Sequence, residues 1–430
     1  MPFAFFDLKQ PGIQRPSSIP SRLLLSRLMM TYARLACHDR AIILGKGQFR
    51  MSNSDQQLQK TALVLQGGGA RGAYHVGAVK AIAEITACRR SPFKIVCGAS
   101  VGAINAASIA VASNDFQSGT KHLEHLWQSL NSNSIFDTRA FPLLSNCLRW
   151  ALTPVLARLG FPTTGGLLNY DPLRQLLQNE FKQDHLRHAV RTGALHALSI
   201  TASSYHEGSA VTFFQGHQDI DEWRRARRRG ERTSIGSDHI LASAALPFAF
   251  APVLLEDGYF GDGSLRLTSP LSPAIHLGAD RILVITTRDG QPGPLKTEAA
   301  PKSPTIGEMA GHALDILFND SLETDHERLT RINQTISLLS PSALQKSQLR
   351  IIETVMLRPS KDIREVAQQY SGNLPWPIRT LLRSIGQLNG DGRIESYLMF
   401  EPDYVGALID LGYSDTMHRA DAILDLLEGG

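Results

Sequence analysis

The sequence predicts an α/β fold in which helices cover both faces of a mostly parallel sheet. Two strand–helix pairs carry this prediction. The apolar run TALVLQ (61–66) precedes helical spacing over 72–87, and FKIVCGAS (93–100) precedes a helix of small apolar residues over 101–113. Strands that alternate with helices pair in parallel through right-handed crossovers. We therefore expect a three-layer α/β/α domain.

Three later segments extend this domain to about residue 290. LHALSITASS (195–204) and SAVTFFQG (209–216) have the composition of strands. IHLGADRILVITT (275–287) combines a helix end, a turn and a further buried strand. The α/β/α domain is therefore predicted over residues 61–290.

The segments that flank this domain differ from it in composition. A proline-rich linker is predicted over 291–304, and the mostly helical C-terminal region 305–430 contains one strand in RIIETVMLRPS (350–360). Residues 1–60 form an N-terminal extension that is rich in arginine and serine near its start. This extension is compatible with untranslated sequence upstream of Met51, with an unstructured or weakly helical arm, or with a targeting segment.

The charge is balanced over most of the chain. Of 44 Lys and Arg and 40 Asp and Glu, residues 1–50 hold 8 and 2, so 36 basic and 38 acidic residues remain in 51–430. The net charge of −2 over residues 51–430 argues against a nucleic-acid-binding protein. The sequence contains no run of 18 apolar residues that would predict a membrane span. We expect a cytoplasmic protein, with peripheral membrane contact as an alternative.

A glycine-rich loop follows the first strand, in LVLQGGGARGAYHVG (63–77). Gly67, Gly69 and Gly72 have the spacing of a dinucleotide-binding turn. Such a turn requires an acidic residue at the end of the second strand, to bind the ribose hydroxyls. Here that strand ends in KIVCGASVG (94–102), which contains no Asp or Glu. The loop is therefore not predicted to bind a nucleotide.

The second strand leads instead into a nucleophile elbow. Gly98-x-Ser100-x-Gly102 lies between a predicted strand and a predicted helix, which is the context that this motif requires. The serine occupies a tight, strained turn, so the residues two before and two after it must be small. At the start of a helix, Ser100 also lies near the positive end of the helix dipole. The pattern predicts Ser100 as a nucleophile.

The glycine loop then acquires a different role beside this serine. Backbone N–H groups of Gly67, Gly68, Gly69 and Gly72 can form an oxyanion hole, and each such donor is worth about 2.7–4 kcal/mol in the transition state. Glycines are needed because a Cβ atom would block the approach of the substrate oxygen. Arg71 either adds positive charge near the oxyanion or a substrate phosphate, or forms a structural ion pair at the start of the helix.

The base that would activate Ser100 is predicted to be Asp262. It lies in GYFGDGSLRL, between glycines and after a short strand, whereas Asp257 has the sequence context of a hairpin turn. His276 has the correct chain order, but it precedes a strand and therefore belongs to the far end of the sheet. His75 lies on the helix after the glycine loop, where a packed or solvated imidazole is the default. The simplest chemistry is a Ser–Asp dyad.

Three ordered motifs resemble those of the patatin-like phospholipases. GGGARG (67–72) is similar to the family's oxyanion loop, GASVG (98–102) to its serine elbow, and DGS (262–264) to its aspartate motif. ASAALPFAFAPV (242–253) also resembles the family's stretch before that aspartate. The motifs occur in the family's order, which makes the resemblance specific.

This resemblance covers about residues 62–290. It implies a patatin-like α/β/α fold, a dyad of Ser100 and Asp262, and hydrolysis of lipid acyl esters. The region 305–430 is similar to C-terminal extensions of some bacterial members. One departure from the family pattern is Ser264, where the family usually has Gly or Ala, and a hydroxyl at this position can alter the pKa of Asp262.

We expect neither a cofactor nor a bound metal. NGDGRIESYL (389–398) partly resembles a calcium loop. A twelve-residue calcium loop with Gly392 at position 6 would run from 387 to 398. However, its first position is then Gln387 and its twelfth is Leu398, where carboxylates are required. The sequence therefore does not predict a calcium site in this segment.

Together these observations predict a serine acyl hydrolase that cleaves fatty-acyl esters of phospholipids or lysophospholipids through an acyl-enzyme. Headgroup, acyl chain, and thioesterase or acyltransferase activity stay open. The alternative is a lipid-sensing or membrane-associated interaction protein with secondary esterase activity, based on residues 300–430 and the arginine run Arg224–Arg232. That run either attracts anionic lipid headgroups or is a solvated loop.

Overall fold

The protein is described by a computed structural model that covers residues 59–428, except 142–144, 150–151, 153–157, 159–165, 289–302, 348 and 387–391. The predictions for the N-terminal extension and the linker therefore lie outside the described residues, apart from residues 59–60 and 303–304. The described residues all belong to one compact unit.

Within the described part of the chain, ten strands form the central sheet. They are β1 (Thr61–Leu65), β2 (Ile95–Ala99), β3 (Ala197–Ser204), β4 (Ser209–Gly216), β5 (Trp223–Arg225), β6 (Arg228–Arg232), β7 (Val253–Leu255), β8 (Gly258–Gly261), β9 (Arg281–Ile285) and β10 (Glu353–Leu357).

Helices lie between and after these strands. Those of the α/β/α domain are α1 (Ala73–Thr86), α2 (Val101–Val111), α3 (Phe116–Ser129), α4 (Ser132–Ile135), α5 (Asp171–Glu180), α6 (Gln183–Arg191), α7 (Ser237–Ser243) and α8 (Ser272–His276). Those of the C-terminal region are α9 (Ile306–Asp315), α10 (Ser321–Ser337), α11 (Pro341–Lys346), α12 (Ile363–Tyr370), α13 (Trp376–Ser384), α14 (Arg393–Leu398), α15 (Pro402–His418) and α16 (Ala420–Glu428). A π-helical turn, Ile316–Asp320, joins α9 to α10.

The sheet has the order β10-β9-β1-β2-β3-β4-β6-β5. The first five strands are parallel, so the carboxyl ends of β1, β2 and β3 lie at the same edge. Strand β4 runs antiparallel to β3, and the hairpin β7–β8 joins the end of β3 through β8. The predicted α/β/α class with a mostly parallel sheet is confirmed.

Strand β1 is buried on both faces because helices cover both sides of the sheet. Its alternate residues enter two separate hydrophobic cores: Leu63 and Leu65 pack into one, Ala62 and Val64 into the other. A strand buried on both faces is a continuous apolar run rather than an alternating one. This explains why TALVL was recognisable in the sequence.

The C-terminal region completes this domain. Strand β10 adds to the sheet beside β9, as the segment 350–360 predicts, and α15 packs along α1. A Cβ atom at Gly77 would collide with the Ile409 carbonyl group, and one at Gly412 with the Tyr74 carbonyl group. Two glycines thus allow the helix backbones to approach closely. The predicted region is mostly helical, as expected, while the domain boundaries stay a prediction.

Among the described helices, none has both the length and the apolar character needed to cross a bilayer.

Candidate active site

Ser100 occupies the sharp turn between β2 and α2. Its φ of 55° and ψ of −131° lie where non-glycine residues are rare, at a cost of order 1–3 kcal/mol. The Ser100 N–H donates to Oγ of Ser243 over 3.0 Å, and that hydroxyl donates to the Thr201 carbonyl oxygen over 2.6 Å. The serine is therefore held at the carboxyl edge of the sheet and at the N-terminus of a helix, whose dipole favours a developing anion.

Gly98 and Gly102 allow the strand and the helix to approach each other at this turn. A Cβ atom at Gly98 would collide with the backbone of Gly102, and one at Gly102 with the Leu65 carbonyl group of β1. These neighbours are main-chain atoms in a close-packed interior and cannot easily give way. The spacing of the two glycines around Ser100 therefore has a steric cause.

Asp262 follows β8 and is fully buried. Its N–H donates to the Ala245 carbonyl oxygen over 2.9 Å, and its own carbonyl oxygen accepts from Ser203 Oγ over 2.8 Å. Carboxylate Oδ1 accepts the N–H of Ser264 over 2.9 Å. Gly263 lies so close to a carbonyl group of β3 that a side chain has no room. Main-chain bonds thus fix the carboxylate in one orientation.

Burial raises the pKa of Asp262 to about 6, while hydrogen bonds from Ser100 and Ser264 act in the opposite direction. Among the described residues, Oδ2 of this carboxylate has no partner of full hydrogen-bond geometry. Oδ2 is therefore the oxygen available to the Ser100 hydroxyl. A carboxylate whose pKa lies near neutral is a better general base than an exposed Asp. The departure Ser264 contributes to this balance through both its N–H and its hydroxyl.

The oxyanion loop, Gly67–Gly72, connects β1 to α1. Gly69 has a φ of 55°, and a Cβ atom there would collide with the Tyr397 carbonyl group. Within the part of the chain that the structure describes, the N–H groups of Gly68 and Gly69 donate to no protein acceptor. Because Gly69 and Ser100 line the same cavity, these N–H groups can bind an oxyanion that forms next to the serine.

Both ends of the oxyanion loop are tied down by side chains. The carbonyl oxygen of Gly67 accepts from Thr287 Oγ1 over 2.9 Å, and that of Gly72 accepts from Asn105 Nδ2 over 3.0 Å. Asn105 also accepts from Trp127 Nε1 over 2.9 Å. The loop is therefore anchored on the sheet side and on the α2 side.

The contacts of Arg71 are those of the structural ion pair, one of the two roles open from the sequence. Its side chain is buried, its Nε and Nη2 donate to Ser396 Oγ over 2.9 and 2.7 Å, and its Nη2 lies 3.5 Å from Asp315 Oδ1. The guanidinium carbon lies 3.8 Å from the centre of the Tyr397 ring. All three partners belong to the C-terminal region.

An apolar cavity of about 70 Å³ adjoins Ser100. Its wall is almost entirely aliphatic and aromatic, which suits an acyl chain. Besides Gly69 and Ser100 it is lined by Val101, Ile104, Leu126, Trp127, Leu130, Ile135, Leu173, Leu176, Ala244, Phe250 and Phe400.

Three other candidates from the sequence lie in different surroundings. His75 is fully buried on α1 beside Asn105, and burial lowers its pKa to about 3. His276 lies at the end of α8 and stacks on Trp223, with ring centres 4.8 Å apart. Asp257 occupies the β7–β8 turn, 3.4 Å from a guanidinium nitrogen of β6. The contacts of these three residues are structural.

The arginine run Arg224–Arg232 forms the hairpin β5–β6 and is not a solvated loop, because its residues pair with each other and with β4. Arg229 pairs with Glu207 over 3.2 Å, and Arg232 donates to carbonyl oxygens, including that of Gly216 over 3.1 Å. Arg224, Arg225 and Arg227 are exposed at or near the hairpin turn.

A group of potential metal ligands lies at the opposite edge of the sheet. His196 precedes β3, His217 follows β4, and Asp219 joins them, with ligand atoms within 4.8 Å of one another. The ammonium of Lys60 lies 4.0 Å from the Asp219 carboxylate. This cation already partners the carboxylate, and the group is remote from Ser100.

Residues 63–275 match the family model described as patatin-like phospholipase. Residues 63–275 thus form a patatin-like phospholipase domain, and the class of this domain is that of a lipid acyl hydrolase. No curated protein matches the sequence.

Solved structures that resemble the chain share little sequence with it. VipD from Legionella pneumophila is 13% identical, with 85% of this chain and 67% of that chain covered and a TM-score of 0.33. Human GIVD cytosolic phospholipase A2 in complex with methyl gamma-linolenyl fluorophosphonate is 11% identical, with 95% and 64% covered and a TM-score of 0.38. A chain of the heterodimeric ExoU–SpcU complex from Pseudomonas aeruginosa is 16% identical, with 79% of this chain and 68% of that chain covered and a TM-score of 0.26. The chain spans about two thirds of each of these structures.

Sequence reasoning missed the residues that support the site. Ser243 lies in the stretch 242–253 that resembles the family, yet nothing local indicates its bond to Ser100. Asp315 belongs to no motif, and Ser396 and Tyr397 lie in NGDGRIESYL, whose partial resemblance to a calcium loop does not indicate a contact with Arg71. Their contacts with Arg71 join residues more than 200 positions apart, and a single sequence carries no signal of contacts at such a distance.

Proposed function

We propose that the protein hydrolyses fatty-acyl esters of phospholipids or lysophospholipids through a Ser100–Asp262 dyad and an acyl-enzyme. The observation that carries the proposal is the pairing of the Ser100 hydroxyl with the buried carboxylate of Asp262, whose pKa is raised. The N–H groups of Gly68 and Gly69, which have no protein acceptor among the described residues, and an apolar cavity lie beside this pair. No cofactor is required for this chemistry.

In the first half-reaction, Ser100 Oγ attacks the ester carbonyl carbon while Asp262 accepts the hydroxyl proton. The carbonyl oxygen becomes an oxyanion, which the N–H groups of Gly68 and Gly69 bind. When this intermediate collapses, the bond to the alcohol oxygen breaks and Asp262 returns the proton to that oxygen. The alcohol leaves, and the acyl group stays on Ser100.

In the second half-reaction, water takes the place of the alcohol. Asp262 accepts a proton from the water as its oxygen attacks the acyl carbon, and the same loop N–H groups bind the new oxyanion. Collapse breaks the bond to Ser100 Oγ, which takes the proton back from Asp262. The products are a carboxylic acid and the enzyme in its starting state.

The α2 side of two neighbouring cavities, with Ile104, Ala107 and Val111, offers a mainly apolar path for a long acyl chain. A second cavity, of about 680 Å³, shares Ile104, Leu126 and Leu176 with the first and continues along α2 to Val111. From residue 101 to 111 the helix rises about 15 Å. Ordinary bond lengths and angles give about 1.25 Å per carbon of an extended chain, so this path accommodates about 12 carbons.

Peripheral membrane contact is a separate proposal about the hairpin β5–β6. Strand β6 begins opposite Ala210, near the start of β4, so the hairpin turn lies at the same sheet edge as Ser100. Exposed Arg224, Arg225 and Arg227 at or near this turn can attract anionic headgroups, at about 1 kcal/mol per cation. Replacing all three by Gln is expected to reduce sedimentation with vesicles that contain phosphatidylglycerol, but not turnover of a water-soluble ester.

The test of the dyad is active-site labelling with a fluorophosphonate, followed by identification of the labelled residue. We expect one phosphonyl adduct on Ser100, and loss of both labelling and p-nitrophenyl ester turnover in Ser100→Ala. Turnover that persists at the wild-type rate in Ser100→Ala would contradict the proposal. Ser129→Ala, a change at an exposed serine of α3 that lines neither cavity, is the matched control.

A further inference from the structure

The oxyanion loop receives much of its support from outside the matched domain. Thr287, which holds Gly67, follows residue 275, where the family match ends. The partners of Arg71 lie still further on, in the segments 315–320 and 393–400. The loop is therefore enclosed by the part of the chain for which the sequence offered no chemistry.

Arg71 is the centre of this support. Its guanidinium is clamped by Ser396 Oγ at 2.7 and 2.9 Å, by Asp315 at 3.5 Å and by the face of Tyr397. Asp315 is itself held, because Tyr397 donates its hydroxyl to Oδ1 over 2.8 Å and Arg393 Nε lies 3.3 Å from Oδ2. A buried guanidinium with such a set of partners has one orientation.

The π-helical turn adds a second attachment to the same loop. Its extra residue per turn places the Phe318 carbonyl oxygen where Gln66 Nε2 donates to it over 2.5 Å. Gln66 Oε1 accepts the N–H of Thr287 over 2.8 Å. The Phe318 ring also packs against the Tyr397 ring, with centres 5.2 Å apart and planes tilted by 31°, and the Tyr397 carbonyl group faces Gly69. The two attachments thus converge on both sides of Gly68.

We infer that Asp315 and Ser396 are positioning residues for the reaction, which act through Arg71 on the oxyanion loop. Arg71 lies in the same turn as the proposed donors, and its N–H donates to the Gly68 carbonyl oxygen over 3.2 Å. A shift of the guanidinium therefore moves the peptide groups of Gly68 and Gly69. The donors bind charge that develops only in the transition state, and their alignment determines how strongly they do so.

This inference rests on the proposed function, and it predicts a specific kinetic signature. Misaligned donors weaken binding of the oxyanion, but the acyl cavity next to Ser100 stays intact. Loss of the clamp should therefore lower kcat and leave KM for a short, water-soluble ester nearly unchanged. A purely structural role would instead lower the amount of folded protein and leave the kcat of the folded fraction unchanged.

The experiment compares three variants of the full chain: Asp315→Asn, Ser396→Ala and Tyr397→Phe, the last of which removes only the hydroxyl that orients Asp315. The active-site concentration is titrated with a fluorophosphonate, so that kcat refers to folded enzyme. Glu323→Gln is the matched control, since it breaks a C-terminal ion pair, Glu323–Arg358, that does not contact the loop.

We expect kcat to fall ten- to hundredfold in Asp315→Asn and Ser396→Ala, and severalfold in Tyr397→Phe, with KM changed less than twofold. An unchanged kcat in Ser396→Ala and Tyr397→Phe would overturn the inference, even if Asp315→Asn fails to fold. A fall in kcat no larger in these variants than in Glu323→Gln would also overturn the inference. Failure of the wild-type protein to react with the fluorophosphonate would instead refute the proposed dyad, which keeps the two failures distinct.

Discussion

Ser100 and Asp262 are held by residues of the matched domain, whereas the oxyanion loop beside them is held largely by the C-terminal region. Ser243 and Thr201 fix the turn at Ser100, and Ala245 and Ser203 fix Asp262. Arg71, by contrast, is held by residues more than 240 positions away. One half of the site is thus held within the matched domain, and the other half depends on residues beyond it.

The largest effect is expected from Asp262→Asn, in the half of the site that contains Ser100 and Asp262. The amide cannot accept the Ser100 proton, so kcat should fall about 10²–10⁴-fold, the usual contribution of a general base. A p-nitrophenyl ester assay measures this loss. A kcat within threefold of wild type would show that another group accepts the proton.

The same variant should gain stability at neutral pH. Burial raises the pKa of Asp262 from 3.8 to about 6, so the folded state binds the proton more tightly than the unfolded state. The resulting stability is present below pH 3.8 and is lost as pH rises to about 6. At pH 7 the ionised group therefore costs about 3 kcal/mol. Urea unfolding should show Asp262→Asn to be more stable than wild type by up to this amount, and the control Asp221→Asn, at an exposed residue, to be unchanged.

The variant Gly69→Ala tests the other half of the site, the loop Gly67–Gly72. A methyl group there meets the Tyr397 carbonyl group at a positive φ, so the loop must move. We expect kcat to fall about 10²–10³-fold, the loss typical of one oxyanion donor. Gly372→Ala is the matched control, because a Cβ atom at Gly372 has no neighbour within 4 Å. Equal kcat in the two variants would argue against an oxyanion hole in this loop.

The pH dependence separates the two halves. Asp262 must be ionised to act as a base, so kcat/KM should rise with pH and level off above a pKa of about 6. At pH 5 it should be about tenfold below the plateau. Gly69→Ala should lower the plateau without moving the midpoint. A midpoint near 4 in the wild-type protein would show that burial does not raise the pKa of Asp262 in solution.

The smallest effect concerns the cavity that both halves border. Leu176 lines both cavities, and Trp at this position should narrow the passage between them. We expect Leu176→Trp to lower kcat/KM severalfold for a 16-carbon p-nitrophenyl ester and to leave a 4-carbon ester unaffected. Leu338→Trp, at a residue that is 86% exposed, is the control. An equal loss for both esters would place the acyl chain elsewhere.

The success of the sequence predictions follows the same division. The elbow glycines, the buried strand β1 and the order of motifs are determined by neighbours within a few residues or by backbone sterics, so a single sequence displays them. The role of Arg71 stayed open because its partners are distant in the sequence. The arginine run was expected to be a loop or a patch on composition alone, while its pairing with β4 depends on tertiary structure.

Strand β10 gives this division a consequence for biosynthesis. It supplies the outer neighbour of β9, and β9 in turn pairs with β1, so the parallel sheet is complete only when residues 353–357 have left the ribosome. A nascent chain that ends before this point already carries Ser100 and Asp262, but it has an unpaired edge at β9 and an unsupported Arg71. We therefore expect the proposed acyl-ester cleavage to begin only after the residues that hold Arg71, up to Tyr397, have left the ribosome.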